Sequence, residues 1–365
     1  MPLSATSNSS DVSRLCAEGL ALLEARRFAE AHTLLLRARD LAPDDPLIYY
    51  YLGLLFSDLG RPNDALGALD ASIRLDDGDA KIHNNRGSVL QILERLDEAR
   101  SAFQRALDLR PDLDLPYVNL GKLLEQQGKI QEAVAIYDLA LSRALDPGLF
   151  GQYRAAALGQ STLRSPDSWV SRTFDNFAPT FDAHLTSLQY EVPSRLALML
   201  SPRVDQPLEI LDLGCGTGLV GTAMAAHKHR LIGVDLSRKM LAQAKARNVY
   251  EALHIAEVHA FLRDCEAARF DAVCAADVFI YIGALEALFG DVRRVLRPGG
   301  WFAFSTEECA DRDYVLLPTG RYAQSEAYIR RLAATAFTVV EARAATIRME
   351  TGTPLPGRLY LLQNA

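Results

Sequence analysis

A 34-residue interval is written into the first 145 residues. Gly19, Gly53, Gly87 and Gly121 keep it, and so do Ala31, Ala65, Ala99 and Ala133. Leu35, Leu69, Phe103 and Tyr137 follow at the same spacing, then Ala38, Ser72, Ala106 and Ala140. A constant period of this length describes stacked helical hairpins, because one hairpin cannot bury its apolar face alone. Glycine and alanine fall where two helices press together, and the larger residue fills the next layer. Pro43 and Pro111 close repeats one and three, since proline cannot continue a helix; Asp77 and Leu145 occupy the matching slots. The period repeats four times, above the roughly three units such a stack needs.

These offsets resemble the tetratricopeptide repeat (TPR), which implies an all-α solenoid over residues 12–147 with a concave face lined by the first helix of each hairpin. Asn85 and Asn119 share one slot on that face, while Ala17 and Tyr51 hold it in the earlier repeats. An amide side chain offers a donor and an acceptor, matching a peptide backbone. In TPR proteins that hold extended peptides, asparagines at this slot do that work, so the pair resembles two rungs for a peptide, protein or carrier-bound partner. The alternative is that asparagine is merely frequent in the repeat. Residues 1–11 read as an unstructured lead. Residues 148–168 break the period, with a capping helix expected over 149–158 and a turn-rich linker after it.

The second half is organised around LEILDLGCGTGLVGTAMAA, residues 208–226. An apolar run ends in a glycine-rich turn and a helix-forming run follows at once. Gly214, Gly216 and Gly218 allow tight turning and close approach to a ligand. The amides that open the helix present free donors there. This is the strand–turn–helix unit of a nucleotide-type site in a doubly wound sheet. Gly216-x-Gly218-x-x-Gly221 formally satisfies a dinucleotide pattern, which alone is weak. Asp212, two residues before the first glycine, argues for a ligand with an ammonium and a sulfonium over a pyrophosphate. Asp235 ends the next apolar run, where a carboxylate takes two ribose hydroxyls.

Asp212-Leu213-Gly214-Cys215-Gly216-Thr217-Gly218, Val234-Asp235-Leu236-Ser237 and Leu296-Arg297-Pro298-Gly299-Gly300, in that order, resemble the class I S-adenosylmethionine (SAM)-dependent methyltransferases. The aromatic and acidic run FDNFAPTFDAHL, followed by Tyr190, adds a resemblance to bacterial TPR-containing methyltransferases over most of the chain. That resemblance implies two domains: the TPR solenoid, and an α/β doubly wound (Rossmann-like) domain over 169–365 with a mostly parallel seven-stranded sheet. It implies SAM as cofactor, with Tyr190, Asp212, Gly214, Cys215, Gly216, Gly218, Asp235, Leu236, Met240, Glu257, Ala276 and Asp277 around it. Met240 would cover an adenine face, Glu257 would accept from the adenine amino group, and Asp277 would lie near the methionine end. The aromatic run would fold over the cofactor as a lid, although Pro179 must kink or split its helix.

Methyl transfer from a sulfonium needs alignment above all, and a base only for a protonated acceptor. His184, Tyr281, Glu307, Glu308 and Tyr322 are the candidates for that base, and Arg321 suits an acceptor carboxylate or phosphate. The expected activity is transfer to an oxygen or nitrogen acceptor, with the repeats recruiting or positioning a substrate. The alternatives are a small-molecule methyltransferase whose repeats drive self-association into a homo-oligomer, and a scaffold with a non-catalytic cofactor-binding half.

Composition narrows the classes further. Net charge −7 argues against a broad nucleic-acid footprint. No apolar run nears the ~20 residues of a membrane span, and the N-terminus lacks the form of a secretory signal. The 5 cysteines are scattered without a C-x-x-C, so neither a disulfide framework nor a zinc site is expected, and a reducing cytoplasm fits. His227-Lys228-His229 has no third ligand in view and reads as a solvated loop, so no metal is expected.

Overall fold

The computed structural model describes residues 5–201, 206–227, 229–350 and 352–365. The chain divides into two compact units, Met1–Phe150 and Gly151–Ala365.

The first unit is built of helical hairpins: α1 (Ala5–Glu24) with α2 (Phe28–Leu41), α3 (Pro46–Asp58) with α4 (Pro62–Leu75), α5 (Ala80–Ile92) with α6 (Leu96–Leu109), and α7 (Asp114–Gln126) with α8 (Ile130–Ser142). The 34-residue glycines sit where the period places them. A Cβ on Gly53 would stand 2.7 Å from Leu69, one on Gly87 would stand 2.6 Å from Phe103, and one on Gly121 would overlap the Tyr137 ring. Ala31, Ala65, Ala99 and Ala133 are fully buried. Asp45 and Asp79 cap α3 and α5 by accepting from the amides of Leu47 and Lys81. Helix α1 begins at Ala5, inside the stretch read as an unstructured lead, whose residues 1–4 lie outside the described residues.

The expected peptide rungs are partly spent within the array. Asn85 donates to the Tyr50 hydroxyl at 3.1 Å, and Asn119 donates to the Asn84 side-chain oxygen Oδ1 at 2.9 Å. Each side chain thereby loses a donor that a peptide would need.

In the second unit seven strands form one sheet: β1 (Glu209–Leu213), β2 (Arg230–Asp235), β3 (Ala252–Ile255), β4 (Phe270–Ala275), β5 (Leu296–Glu307), β8 (Phe337–Glu350) and β9 (Thr353–Asn364), in the order β3-β2-β1-β4-β5-β9-β8. All neighbours are parallel except β9, which runs antiparallel to β5 and β8. The mostly parallel seven-stranded sheet implied by the resemblance is therefore present. The strand alternation of β1 divides its residues between two cores. Leu211 and Leu213 join Val273, Phe289, Val292, Phe302 and Tyr328 on one face, and Ile210 joins Leu196, Val220 and Met224 on the other.

Three further segments complete the outline. The run after β5 forms a small antiparallel pair, β6 (Tyr314–Leu316) with β7 (Tyr322–Gln324). The expected linker is bonded into the second unit: the Ser165 amide donates to the Tyr281 carbonyl, and the Gly283 amide to that of Leu163. The expected capping helix forms as α9 (Pro147–Ala157), with Phe150 edge-on to Tyr117 at 5.9 Å between centroids, and its later residues Ala155 and Ala156 lie against Leu316 and Tyr322. Gln152 on that helix donates to the Ser165 hydroxyl at 3.0 Å and the Gly320 carbonyl at 3.1 Å.

Candidate active site

The glycine turn between β1 and α13 (Leu219–Met224) has Gly214, Gly216 and Gly218 at φ 59°, 54° and 90°. Side chains avoid this left-handed region. At Gly214 space is also lacking, since a Cβ would meet Val278 at 2.7 Å. The turn is fastened to β2 by the Cys215 amide, which donates to the Val234 carbonyl at 3.0 Å.

Asp235, at the end of β2, is fixed by two backbone donors. The Gly216 amide reaches one carboxylate oxygen at 2.9 Å and the Ser237 amide the other at 2.8 Å. Burial pushes its pKa up against those bonds. A carboxylate has about four lone-pair sites, so two remain for a pair of hydroxyls. Ser237 also caps α14 (Arg238–Ala246), accepting from the Met240 amide at 3.1 Å.

These residues border a cavity of about 550 Å³ at the carboxyl edge of the sheet, the usual place for a ligand crevice in an open α/β sheet. One wall comes from α10 (Asp167–Phe177) and α11 (Phe181–Ser187), broken at a 3₁₀ turn that contains Pro179. Phe174 lies edge-on to Tyr281 at 5.4 Å between centroids, and Phe177 lies edge-on to His184 at 5.2 Å. Two aspartates tie this wall to the cofactor-type turns. The Thr217 hydroxyl donates to Asp182 at 2.6 Å, Arg247 pairs with the same carboxylate, and the Ser237 hydroxyl donates to Asp175 at 2.6 Å.

The other end of the cavity is ionic. Asp277 follows β4 at φ 55°, unusual for a residue with a side chain. It accepts from the Ser305 hydroxyl at 2.8 Å and from Arg348 at 2.9 Å. Arg348, on β8 and buried, also donates to Glu307 at the end of β5 and to Glu350 at 3.0 Å. Arg321, beside β7, lies 3.0 Å from Glu307 and pairs with Glu350. Burial pushes Asp277 and Glu307 upward against the pull of both guanidinium groups. At Glu350 burial is outweighed, and Arg321 and Arg348 hold it below the usual carboxylate range.

The structure gathers most of the sequence-derived site residues on this cavity: His184, Tyr190, Gly214, Cys215, Gly216, Asp235, Leu236, Glu257, Ala276, Asp277, Tyr281 and Arg321 all line it. Others stand back. Asp212 shares a strand face with Ile210, so it points into the packing under α13 and not into the cavity. There it accepts from the Tyr250 hydroxyl at 2.6 Å, its other oxygen is buried without a partner, and burial pushes its pKa up to about 7. Gly218 is the cap residue of α13, and a Cβ there would meet Tyr250 at 2.9 Å. Met240 is a fully buried core residue. Tyr322 is also buried, its hydroxyl paired with Thr162. Glu307 reaches the cavity only through Arg321 and Arg348, and Glu308 is bound to Arg358 at 2.8 Å. Glu257 lines the cavity but is engaged, capping α15 (Val258–Asp264) through the Ala260 amide at 2.9 Å and meeting Arg164 at 2.8 Å.

Arg348 and Glu350 were not visible as site residues in the sequence. Their signal is a charged pair, two apart, on the final turn-side stretch of a strand. Only the pairing of β8 with β9 brings Arg348 beside Asp277, 71 positions earlier in the chain, and Glu350 beside Arg321.

The fit of this cavity to SAM follows from charge and from the turn. Five carboxylates line it (Asp167, Asp235, Glu257, Asp277 and Glu350) against three guanidinium groups. Acidic excess opposes a diphosphate and suits a cationic, phosphate-free nucleoside. Two amides at the start of α13 are also already engaged, Gly218 on the Cys215 carbonyl and Gly221 on the Tyr250 hydroxyl. Among the described residues no group of three potential metal ligands is assembled, and no helix is long and apolar enough to cross a membrane.

Sheet order and glycine turn together define a class I methyltransferase fold. A family model for methyltransferase domains matches residues 210–300, and tetratricopeptide-repeat models match 16–80 and 78–146. The chain is similar to a malonyl-[acyl-carrier protein] O-methyltransferase of Methylovorus sp. (strain MP688), 34% identical over 146 residues, covering 38% of this chain and 49% of that protein. It is also similar to a ubiquinone biosynthesis O-methyltransferase of Chromobacterium violaceum, 28% identical over 115 residues, covering 31% of this chain and 50% of that one. The chain thus spans about half the length of the curated relatives it matches. Among solved structures it is similar to a Burkholderia thailandensis 1,6-didemethyltoxoflavin-N1-methyltransferase, at 18% identity and TM-score 0.44, covering 56% of this chain and 93% of that one. The chain joins a tetratricopeptide-repeat array to a methyltransferase domain.

Proposed function

We propose that the protein is a SAM-dependent methyltransferase acting on an oxygen or nitrogen acceptor, with its repeats recruiting a protein or carrier-bound substrate. One observation carries the first part. Asp235 is held by the Gly216 and Ser237 amides with its carboxylate on an acid-rich cavity. Bound there, SAM supplies an activated methyl group on a sulfonium. The chain's own task is then to hold the nucleoside, align the acceptor and exclude water.

The roles follow from position. Asp235 takes the ribose hydroxyls, and the glycine turn passes under the nucleoside. Phe174, Phe177, Phe181 and Leu185 cover it from the α10–α11 wall. Tyr190, Tyr281, His184 and Arg321 face the remaining space, where the acceptor sits. His184 packs against Phe177, and its ring takes no hydrogen bond among the described residues. It is free to receive a proton from an acceptor that arrives protonated.

Relatives named as O-methyltransferases, one for an acyl-carrier protein, support an oxygen acceptor presented on a carrier. The repeat face around Asn85 and Asn119 is the surface offered for that carrier. The experiment is methyl-labelled SAM with fractionated lysate, using Asp235→Ala as control. Label in a protein or carrier fraction, lost in the variant, supports both parts. Label in free small molecules only removes the recruiting role.

A further inference from the structure

The cavity wall includes a stretch that none of the ordered motifs supplies. Residues 163–165, between α9 and α10, run along residues 281–283. The Ser165 amide donates to the Tyr281 carbonyl at 2.9 Å, the Gly283 amide donates to the Leu163 carbonyl at 2.9 Å, and Arg164 forms an antiparallel bridge with Ile282. Arg164 and Ser165 thereby line the cavity. The Arg164 guanidinium meets Glu257 at 2.8 Å and Asp167 at 3.3 Å, and both carboxylates line the cavity as well. The other Glu257 oxygen holds the Ala260 amide at 2.9 Å. Both oxygens are thus fixed, yet a carboxylate has about four lone-pair sites, so two remain for a ligand.

Position says what those two sites meet. Ile255 is the register partner of Asp235, and the Ala256 amide donates to the Asp235 main-chain carbonyl at 3.2 Å. Glu257 therefore follows directly on the strand beside the carboxylate that takes the ribose. A base attached to that ribose has two directions open to it. On the β4 side lie Asp277, Arg348 and Arg321, charged groups that an uncharged ring would desolvate without return. On the β3 side Leu236, Ala256 and Val258 offer apolar surface around Glu257. A purine buries its faces there, and its edge meets the carboxylate.

We infer that Arg164 is a positioning residue for base recognition: it holds the Glu257 carboxylate toward the exocyclic amino group of adenine, so that the site rejects a 6-oxopurine. This rests on the reading of the cavity as a SAM site. The adenine amino group donates to the remaining lone pairs of the carboxylate. The carbonyl of a 6-oxopurine turns lone pairs of its own toward the same negative charge, and the two repel. A hydrogen bond to a charged group is worth enough to separate the two bases by about tenfold. Without Arg164, Glu257 keeps only its tie to the Ala260 amide, and its carboxylate is no longer held on the base.

The test is calorimetric, on the full chain, with SAM and with two probes that lack the amino-acid end, 5′-deoxy-5′-methylthioadenosine and 5′-deoxy-5′-methylthioinosine. The wild type should bind the adenosine probe about tenfold more tightly than the inosine probe. Arg164→Ala should bring the two within about twofold, by weakening the adenosine probe. The Arg164 side chain is 42% exposed, so its removal leaves the core intact. Arg164→Lys restores a charge without the guanidinium fork and should recover part of the preference. Glu257→Gln keeps an oxygen for the Ala260 amide and should lose the preference as Arg164→Ala does. A residue that merely builds the wall would weaken both probes alike when removed, and that result overturns the inference. So does a preference that survives Arg164→Ala or Glu257→Gln, or equal binding of the two probes by a wild type that binds SAM. A wild type that binds neither SAM nor the adenosine probe would overturn the cofactor reading itself, which is a distinguishable outcome.

Discussion

The two units of this chain meet the same physical demand, a closed core, by opposite routes. In the repeat unit each position is explained by a neighbour sixteen residues away: Gly53 by Leu69, Gly87 by Phe103, Gly121 by Tyr137. In the α/β unit the decisive contacts are long-range, with Asp277 met by Arg348 and Arg321 by Glu350. The lesson is one of distance along the chain. A repeat unit states its packing many times within reach of a periodicity. An enzyme site states its chemistry once, and only the strand order completes it.

The largest expected effect breaks the long-range side. Arg348→Ala leaves Asp277 and Glu307 as buried carboxylates short of a partner, and removing one member of a buried pair costs about 3–5 kcal/mol. Urea denaturation of the second unit should show it. The repeat unit, followed by its own helical signal, should keep its midpoint.

The local side breaks more gently. Gly121→Ala forces a methyl group onto the Tyr137 ring and should cost about 1–3 kcal/mol, read as a lower unfolding midpoint of the repeat unit. Gly67→Ala on α4 is its counterpart. A Cβ there meets nothing within 4 Å, and alanine in a helix interior should stabilise by about 0.5–1 kcal/mol. If both variants moved stability in the same direction, the distinction between packing glycines and incidental ones would fail.

Asp212 sharpens the comparison through pH. Its folded pKa of about 7 lies above the ordinary value near 3.8, so the folded state holds a proton that the unfolded state has lost across that window. The stability it contributes is present at pH 4 and fades as pH rises toward 7. Asp212→Asn cannot lose that proton. Its stability relative to the wild type should therefore climb between pH 4 and 7, then level off. Because Asp212 faces Tyr250 and not the cavity, cofactor affinity should change by less than about threefold, far less than in Asp235→Ala.

Much of the architecture was legible. The 34-residue interval predicts the hairpins, and the three ordered motifs predict the parallel sheet and the glycine turn, since each rests on residues close in sequence. Asp235 was legible because the turn and the β2 end are built from one βαβ unit. Asp212 was misplaced because a position two residues from a glycine says nothing of which strand face it occupies. Met240 had the spacing for an adenine contact but sits wholly in the core. Arg348 and Glu350 escaped because an inward-facing arginine on a strand looks like any surface charge until β8 is placed beside β9. The β6–β7 pair escaped because strands of 3 residues are too short to show an alternation.

The most direct test of the central claim, that the cavity takes a cationic nucleoside without phosphate, is a calorimetric titration with SAM and, separately, with NAD. SAM binding that falls about a hundredfold in Asp235→Ala, with no heat from NAD, is the predicted result. Saturable binding of NAD, or SAM affinity indifferent to Asp235→Ala, would contradict it.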